Sequence, residues 1–200
     1  MKEGNLTKRQ AQAIETKKQI LDTSMKLISE YGYDNVKISQ ICKEVGISVG
    51  GFYHHFKSKE DIIIEVYKEF DFLLENYINN NLNEECYIDK IISIILYQVS
   101  YAKKKGVDIL KQVYKAQLYE GTEFFISDER KLSQILKNTI QCGQDNNEII
   151  KEFTATQIKD QLLRFSRGIL YDWCIHNGDY DLLNETYISI NLLLNTMKNK

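Results

Sequence analysis

Two hundred residues, 43% apolar and 27% charged, suit one compact unit or two small ones sharing a boundary helix. No apolar run approaches a membrane-spanning length, so no membrane partner is expected. The polar opening MKEGNLTKRQAQ lacks the hydrophobic stretch of a secretory signal, which makes a cytoplasmic location the expectation. The net charge of −2 hides an asymmetry: residues 1–59 carry +4 and residues 60–200 carry −6. A basic end on an acidic body suits a protein that offers one end to phosphates. Cys42, Cys86, Cys142 and Cys174 are far apart with no C-x-x-C pair, which argues against a zinc ribbon or a redox motif. The absence of proline favours long helices.

The periodicity predicts a helix over 14–31, with Ile20, Leu21, Leu27, Ile28 and Tyr31 on one side and Gly32 as its stop. A short helix over 38–45 follows, with Ile38, Ile41, Cys42 and Val45 inward; Gly46 breaks it. Ser48 is a good N-cap for a third helix over 48–55. Ser58 is the expected cap of a fourth helix, where Glu60 and Asp61 suit the dipole; its apolar run carries it to about Tyr77. Further helices are predicted over 87–104, 107–119, 127–142, 155–176 and 180–198. The stretch GQDNNE at 143–148 reads as a loop, and His176–Asp179 as the turn of a final antiparallel pair. The helix over 87–104 is apolar on both sides, so it is expected at the centre. No strand alternation is visible, and the fold class is all-α.

Three helices within 56 residues, the second and third joined by a tight Gly turn, describe a helix-turn-helix. In that motif a short helix braces a second, whose N-terminal residues enter the major groove. The string ICKEVGISVGGFYHHFKSKEDI, residues 41–62, closely resembles the signature of the TetR family of bacterial regulators. The segment KKQILDTSMKLISEYG, residues 17–32, resembles that family's first helix. A looser likeness continues in Arg167-Gly168, Trp173 and Gly178-Asp179. Three positions depart from the pattern: Lys37 stands where a Thr or Ser cap is usual, Ser24 in place of Ala, and Gly51 in place of Thr or Ala.

The resemblance implies a DNA-binding domain over 13–73, with the helix-turn-helix at about 36–55, and a regulatory and dimerisation domain over 74–200. It implies that Ser48, Val49, Gly50 and Gly51 face the groove. Tyr53 and His54 would then hydrogen-bond phosphates, and Lys59 with Lys17 or Lys18 would clamp the flanking backbone. Phe52, Phe56, Ile41 and Ile47 read as core. The partners implied are double-stranded operator DNA, a second copy of the chain and an unidentified small-molecule effector. A DNA-binding repressor released by that effector is the leading reading; the alternative is a structural or partner-binding protein of the same fold, of the nucleoid-occlusion type.

On the last two helices the apolar positions repeat at near-heptad spacing. That spacing marks an apolar packing seam, which could equally be core within one chain. The resemblance implies that these helices pair with their twins, making Phe165, Gly168, Ile169 and Trp173 on one, and Leu183, Tyr187, Ile190 and Leu194 on the other, the expected dimer interface. Tyr97, Tyr101, Tyr114, Phe124 and Phe165 are candidates to line an effector pocket, where tyrosines supply polar handles. His54 and His55 point about 100° apart on a helix, so no metal site is expected. No cofactor and no catalytic residue are expected either, because no Ser-His-acid set and no phosphate loop appears.

Overall fold

A computed structural model of the protein describes residues 7–120 and 126–199. The described residues form nine α-helices and an isolated bridge between Ile149 and Lys198. They are α1 (Lys8–Tyr31), α2 (Ile38–Val45), α3 (Val49–His55), α4 (Lys59–Asn81), α5 (Tyr87–Lys105), α6 (Val107–Glu120), α7 (Lys131–Asp145), α8 (Ala155–Ile175) and α9 (Leu182–Asn195). A 3-10 turn, Tyr33–Asn35, links α1 to α2. The chain divides into two compact units between Val66 and Tyr67, within α4. No helix among the described residues is long and apolar enough to cross a membrane.

In the first unit α1 begins six residues before the apolar pattern does. Thr7 caps it: the side-chain oxygen accepts from the Gln10 backbone N–H at 3.3 Å, and Gln10 Oε1 accepts from the Thr7 N–H at 2.9 Å. Such a reciprocal cap satisfies orphan donors without any buried face, which is why residues 8–15 are helical yet exposed. Ser24 is fully buried, and its hydroxyl donates to the Ile20 carbonyl at 2.6 Å. The polar atom that departs from the family pattern is thus satisfied within its own helix. Lys37 stands at the N-cap of α2 without a side-chain cap, so that helix starts weakly. Gly46 ends it in the left-handed region (φ 78°), a conformation that favours glycine. Ile20, Ile28, Ile41, Phe52, Phe56 and Ile62 fill the core of this unit.

In the second unit α5 packs against α6, α7, α8 and α9. Ile91, Ile94, Ile95 and Val99 are all fully buried, as a helix apolar on both sides requires. The helix expected over 127–142 is displaced. Residues 127–130 form turns, with Ser127 Oγ accepting from the Glu129 N–H at 3.1 Å, and α7 runs on through Gly143 to Asp145. Gly143 is therefore not a helix stop. A Cβ there would lie 2.6 Å from Ile149 Cδ1, so the glycine serves close packing. The reversal comes at Asn147 (φ 58°), and the Gln144 amide pins the following segment by donating to the Ile150 and Phe153 carbonyls, both at 2.8 Å. Between α8 and α9 the turn uses Asn177 and Gly178, both at positive φ, beneath the Trp173 ring.

Candidate nucleic-acid interface and ligand cavity

Phe52 and Phe56 point inward from α3 and its C-cap, their ring centroids 5.7 Å apart, and anchor the helix to the core. That leaves Ser48, Val49, Gly50, Tyr53 and His54 exposed. Residues 49 and 53, and 50 and 54, are one helical turn apart, so they share a face. Ser48 spends its side-chain oxygen on capping, accepting from the Gly51 N–H at 3.0 Å, while Gly51 itself is half-buried. The Tyr53 hydroxyl has no hydrogen-bond partner among the described residues. Beside this face, burial lowers the pKa of His55, helped by the charges of His54 and Lys17.

The three lysines differ. Lys17 Nζ pairs with Glu65 Oε2 at 2.6 Å and lies 5.6 Å from the centroid of the Phe56 ring. Lys59 is turned inward to backbone carbonyls of the 3-10 turn and its flank. Lys18 is exposed and without an ion-pair partner among the described residues. The unit thus presents an exposed polar and aromatic helix face, a free lysine on α1, and two lysines already engaged.

The second unit holds a cavity of about 320 Å³, open to solvent on one side, between α4, α5, α6, α7, α8 and the 126–130 turns. Tyr67, Gln98 and Tyr114 contribute to its wall, and so do Lys159, Arg164 and Arg167 of α8. The Tyr114 hydroxyl donates to the Arg167 carbonyl at 2.8 Å. Burial raises the pKa of Tyr114 and of Tyr67, which keeps both phenols neutral donors. Lys159 is 2% exposed and pairs with Asp128, across the cavity's edge, and with Asp160 at 2.9 Å. Burial pulls its pKa down, but the two carboxylates outweigh that and raise it. The same hydrogen bond, with one from Ser133, lowers the pKa of Asp128.

Of the pocket residues read from the sequence, Tyr114 lines this cavity. Tyr97 instead stacks on Tyr77 with centroids 4.1 Å apart, at a shallow groove with Leu183 and Tyr187. Tyr101 is buried, with its hydroxyl donating to Glu69 at 3.2 Å. Phe165 is half-buried and outside the cavity wall. Phe124 lies outside the described residues. The basic residues of the wall lie off the aromatic stripes that the sequence offers as pocket lining. A signal existed: Lys159 shares the spacing of Ala155, Ile158, Leu162 and Ser166, the buried face of α8.

The expected interface residues also separate. Trp173, Ile190 and Leu194 are core of their own chain, with Leu194 only 1% exposed. Phe165, Ile169 and Leu183 are half-buried, and Tyr187 is exposed. Gly168 is exposed with open space where a Cβ would stand. The apolar residues left outside are Tyr171 and Ile175 on α8 and Tyr187, Ile188 and Leu192 on α9, with Leu192 68% exposed.

Residues 20–66 match the family model described as bacterial regulatory proteins, tetR family. The fatty acid metabolism regulator protein of Bacillus subtilis (strain 168) is 23% identical over 191 residues, which cover 91% of this chain and 95% of that protein. The HTH-type transcriptional regulator YerO of the same organism is 37% identical over 158 residues, 78% of this chain but 47% of YerO. Among solved structures, a transcriptional regulator from Saccharomonospora viridis in complex with choline superposes with a TM-score of 0.69 at 18% identity, covering 94% of this chain and 100% of that one. FadR from Bacillus subtilis in complex with stearoyl-CoA gives 0.63 at 22% identity, covering 88% and 96%. At these identities the superpositions speak for the fold.

Proposed function

The chain belongs to the tetR family of bacterial regulatory proteins and is a DNA-binding transcriptional regulator, and we propose that it is a dimeric repressor released from its operator by a small molecule held in the α4–α8 cavity. The observation that carries this reading is the pairing of an outward α3 face with a polar-lined cavity in the second unit. At about 320 Å³ the cavity sits at the lower end of ligand pockets, about 300–1,000 Å³, and suits a metabolite-sized effector.

Val49 and the Gly50–Gly51 backbone read the groove. Val49 offers a methyl contact to thymine, and the glycines admit close backbone approach. Tyr53 and His54 hold phosphates, and Lys18 adds the flanking backbone contact. Lys17 and Lys59 support the same surface from within, through Glu65 and the 3-10 turn. Two copies pair through the apolar residues left exposed on α8 and α9, Gly168 allowing close approach, and place their α3 helices about 34–36 Å apart on successive major grooves.

The test is a competition binding series over variants of a palindromic operator, selected from random duplexes with the full chain. Tyr53→Phe is expected to weaken binding to every sequence alike, because a phosphate contact carries no base information. Val49→Thr is expected to change the preferred base. The reverse pattern would displace α3 from the groove. Equal affinity for random and selected duplex at about 150–200 mM salt would remove the operator reading altogether.

A further inference from the structure

The charges around the cavity are unevenly satisfied. Arg130 is held by a two-point contact with Asp71, at 2.9 and 3.2 Å. Arg164 and Arg167, one turn apart on α8, line the cavity with no side-chain partner among the described residues. Lys159 is buried and pairs with two carboxylates, Asp160 of its own helix at 2.9 Å and Asp128. Asp160 stays with Lys159 on α8, whereas Asp128 is itself 76% exposed and reaches Lys159 from the turns before α7. Gln98 Oε1, on α5, is buried without a hydrogen-bond partner among the described residues. An orphaned buried acceptor costs free energy until a donor reaches it. Between these groups Leu163, Leu170 and the rings of Tyr67 and Tyr114 form an apolar wall.

On the reading of this cavity as the effector site, we propose that the effector is a small organic anion, a carboxylate or a phosphate monoester, that takes Lys159 from Asp128. Its anionic end is drawn by Arg164 and Arg167 and replaces Asp128 at the buried ammonium. The exchange keeps Lys159 paired. It returns Asp128 to water at small cost, because most of that side chain is already solvated. A hydroxyl or N–H on the effector donates to Gln98 Oε1, and its apolar body covers the tyrosine rings. Release of Asp128 frees the 126–130 turns from α8, which couples effector charge to a change in the fold. A cationic effector would face Lys159, Arg164 and Arg167 instead.

The experiment compares matched probes on the full chain by melting temperature and calorimetric titration: 4-hydroxybenzoate, 4-hydroxyphenyl phosphate, 4-hydroxybenzamide and 4-hydroxyphenyltrimethylammonium, and the corresponding 6-hydroxyhexyl series. Binding is expected from the acids alone, raising the melting temperature by about 3–6 °C at ten times Kd. The carboxylate and phosphate arms decide between the two anion types. Arg164→Gln and Arg167→Gln, on a solvent-accessible stretch of α8, are each expected to weaken the acids about tenfold. Asp128→Asn is expected to tighten them about tenfold, because the competing carboxylate is gone. Amide or ammonium probes binding as well as the acids would overturn the anion assignment and leave the effector site standing. Acids that bind but ignore Asp128→Asn would overturn the displacement step. No binding by any probe would overturn both the proposal and the effector reading of the cavity.

Discussion

The Lys59 ammonium donates to the Tyr33 carbonyl at 2.6 Å and to that of Val36 at 3.0 Å, and it lies 4.0 Å from the centroid of the Tyr33 ring. The Tyr33 hydroxyl in turn donates to Glu60 Oε1 at 3.1 Å. Two adjacent residues at the start of α4 thus hold the 3-10 turn that follows α1. A lysine that the sequence pattern marks for DNA phosphate is first a clip within its own unit.

Lys59→Met removes two charge-assisted hydrogen bonds and is expected to cost about 2 kcal/mol in urea denaturation. The slope of log affinity against log salt should change by well under one unit. Lys18→Ala should do the opposite: stability within about 0.5 kcal/mol of the parent and a slope smaller by about one. A stable Lys59→Met protein with a slope reduced by one would return that ammonium to the phosphate backbone.

Gly50 is exposed on α3, and a Cβ there would meet Ser48 Oγ at an ordinary 3.8 Å. Gly50→Ala is therefore expected to stabilise the helix by up to about 1 kcal/mol, seen as a raised melting temperature. DNA affinity should fall about tenfold, because the methyl holds the backbone off the bases. Unchanged affinity would mean that the α3 backbone does not approach the duplex closely at this residue.

Leu192 and Leu194 are two residues apart and differ in what surrounds them. Leu192→Glu is expected to leave the circular dichroism spectrum and melting curve nearly unchanged while converting dimers to monomers in sedimentation velocity. Leu194→Glu buries an unpaired carboxylate and is expected to cost more than about 4 kcal/mol, enough to unfold much of the protein. A dimeric Leu192→Glu protein would move the interface away from α9.

His55 and His176 are expected to titrate on opposite sides of the ordinary imidazole value, followed by nitrogen-detected NMR. Burial, with His54 and Lys17, depresses His55. The Asp172 carbonyl and carboxylate raise His176. Asp172→Asn keeps the carbonyl and should bring His176 only part of the way down, leaving His55 in place. The contribution of His176 to stability is present below about pH 6.5 and is lost as the pH climbs through its raised folded value. A His176 titrating at or below the ordinary value would contradict the Asp172 contact.

The helix-turn-helix was legible because its signals are local. Gly46 at positive φ, the Ser48 cap and the apolar spacing of Ile41, Cys42, Phe52 and Phe56 act within a few residues of one another, so α2 falls where the pattern puts it and α3 begins immediately after its cap. Gly143 shows the limit of such signals. Read along the chain it ends a helix, yet it lies inside α7, where Ile149 and the Tyr87 side chain crowd the place of a Cβ. Nothing in the neighbouring residues encodes that approach.

Sequence alone determined that α8 and α9 are amphipathic and that their apolar positions repeat along one side. Only the tertiary structure decided which positions meet the rest of the chain. Ile190 and Leu194 go to the core, whereas Ile188 and Leu192 remain outside. Lys159 belongs to the same case, a charge on a buried face whose partners, Asp128 and Asp160, lie on a distant turn and on its own helix. Periodicity records that a face is apolar, because the helical repeat is a property of one segment. Burial depends on the neighbour that covers it, and that neighbour is chosen by the packing of elements far apart in the chain.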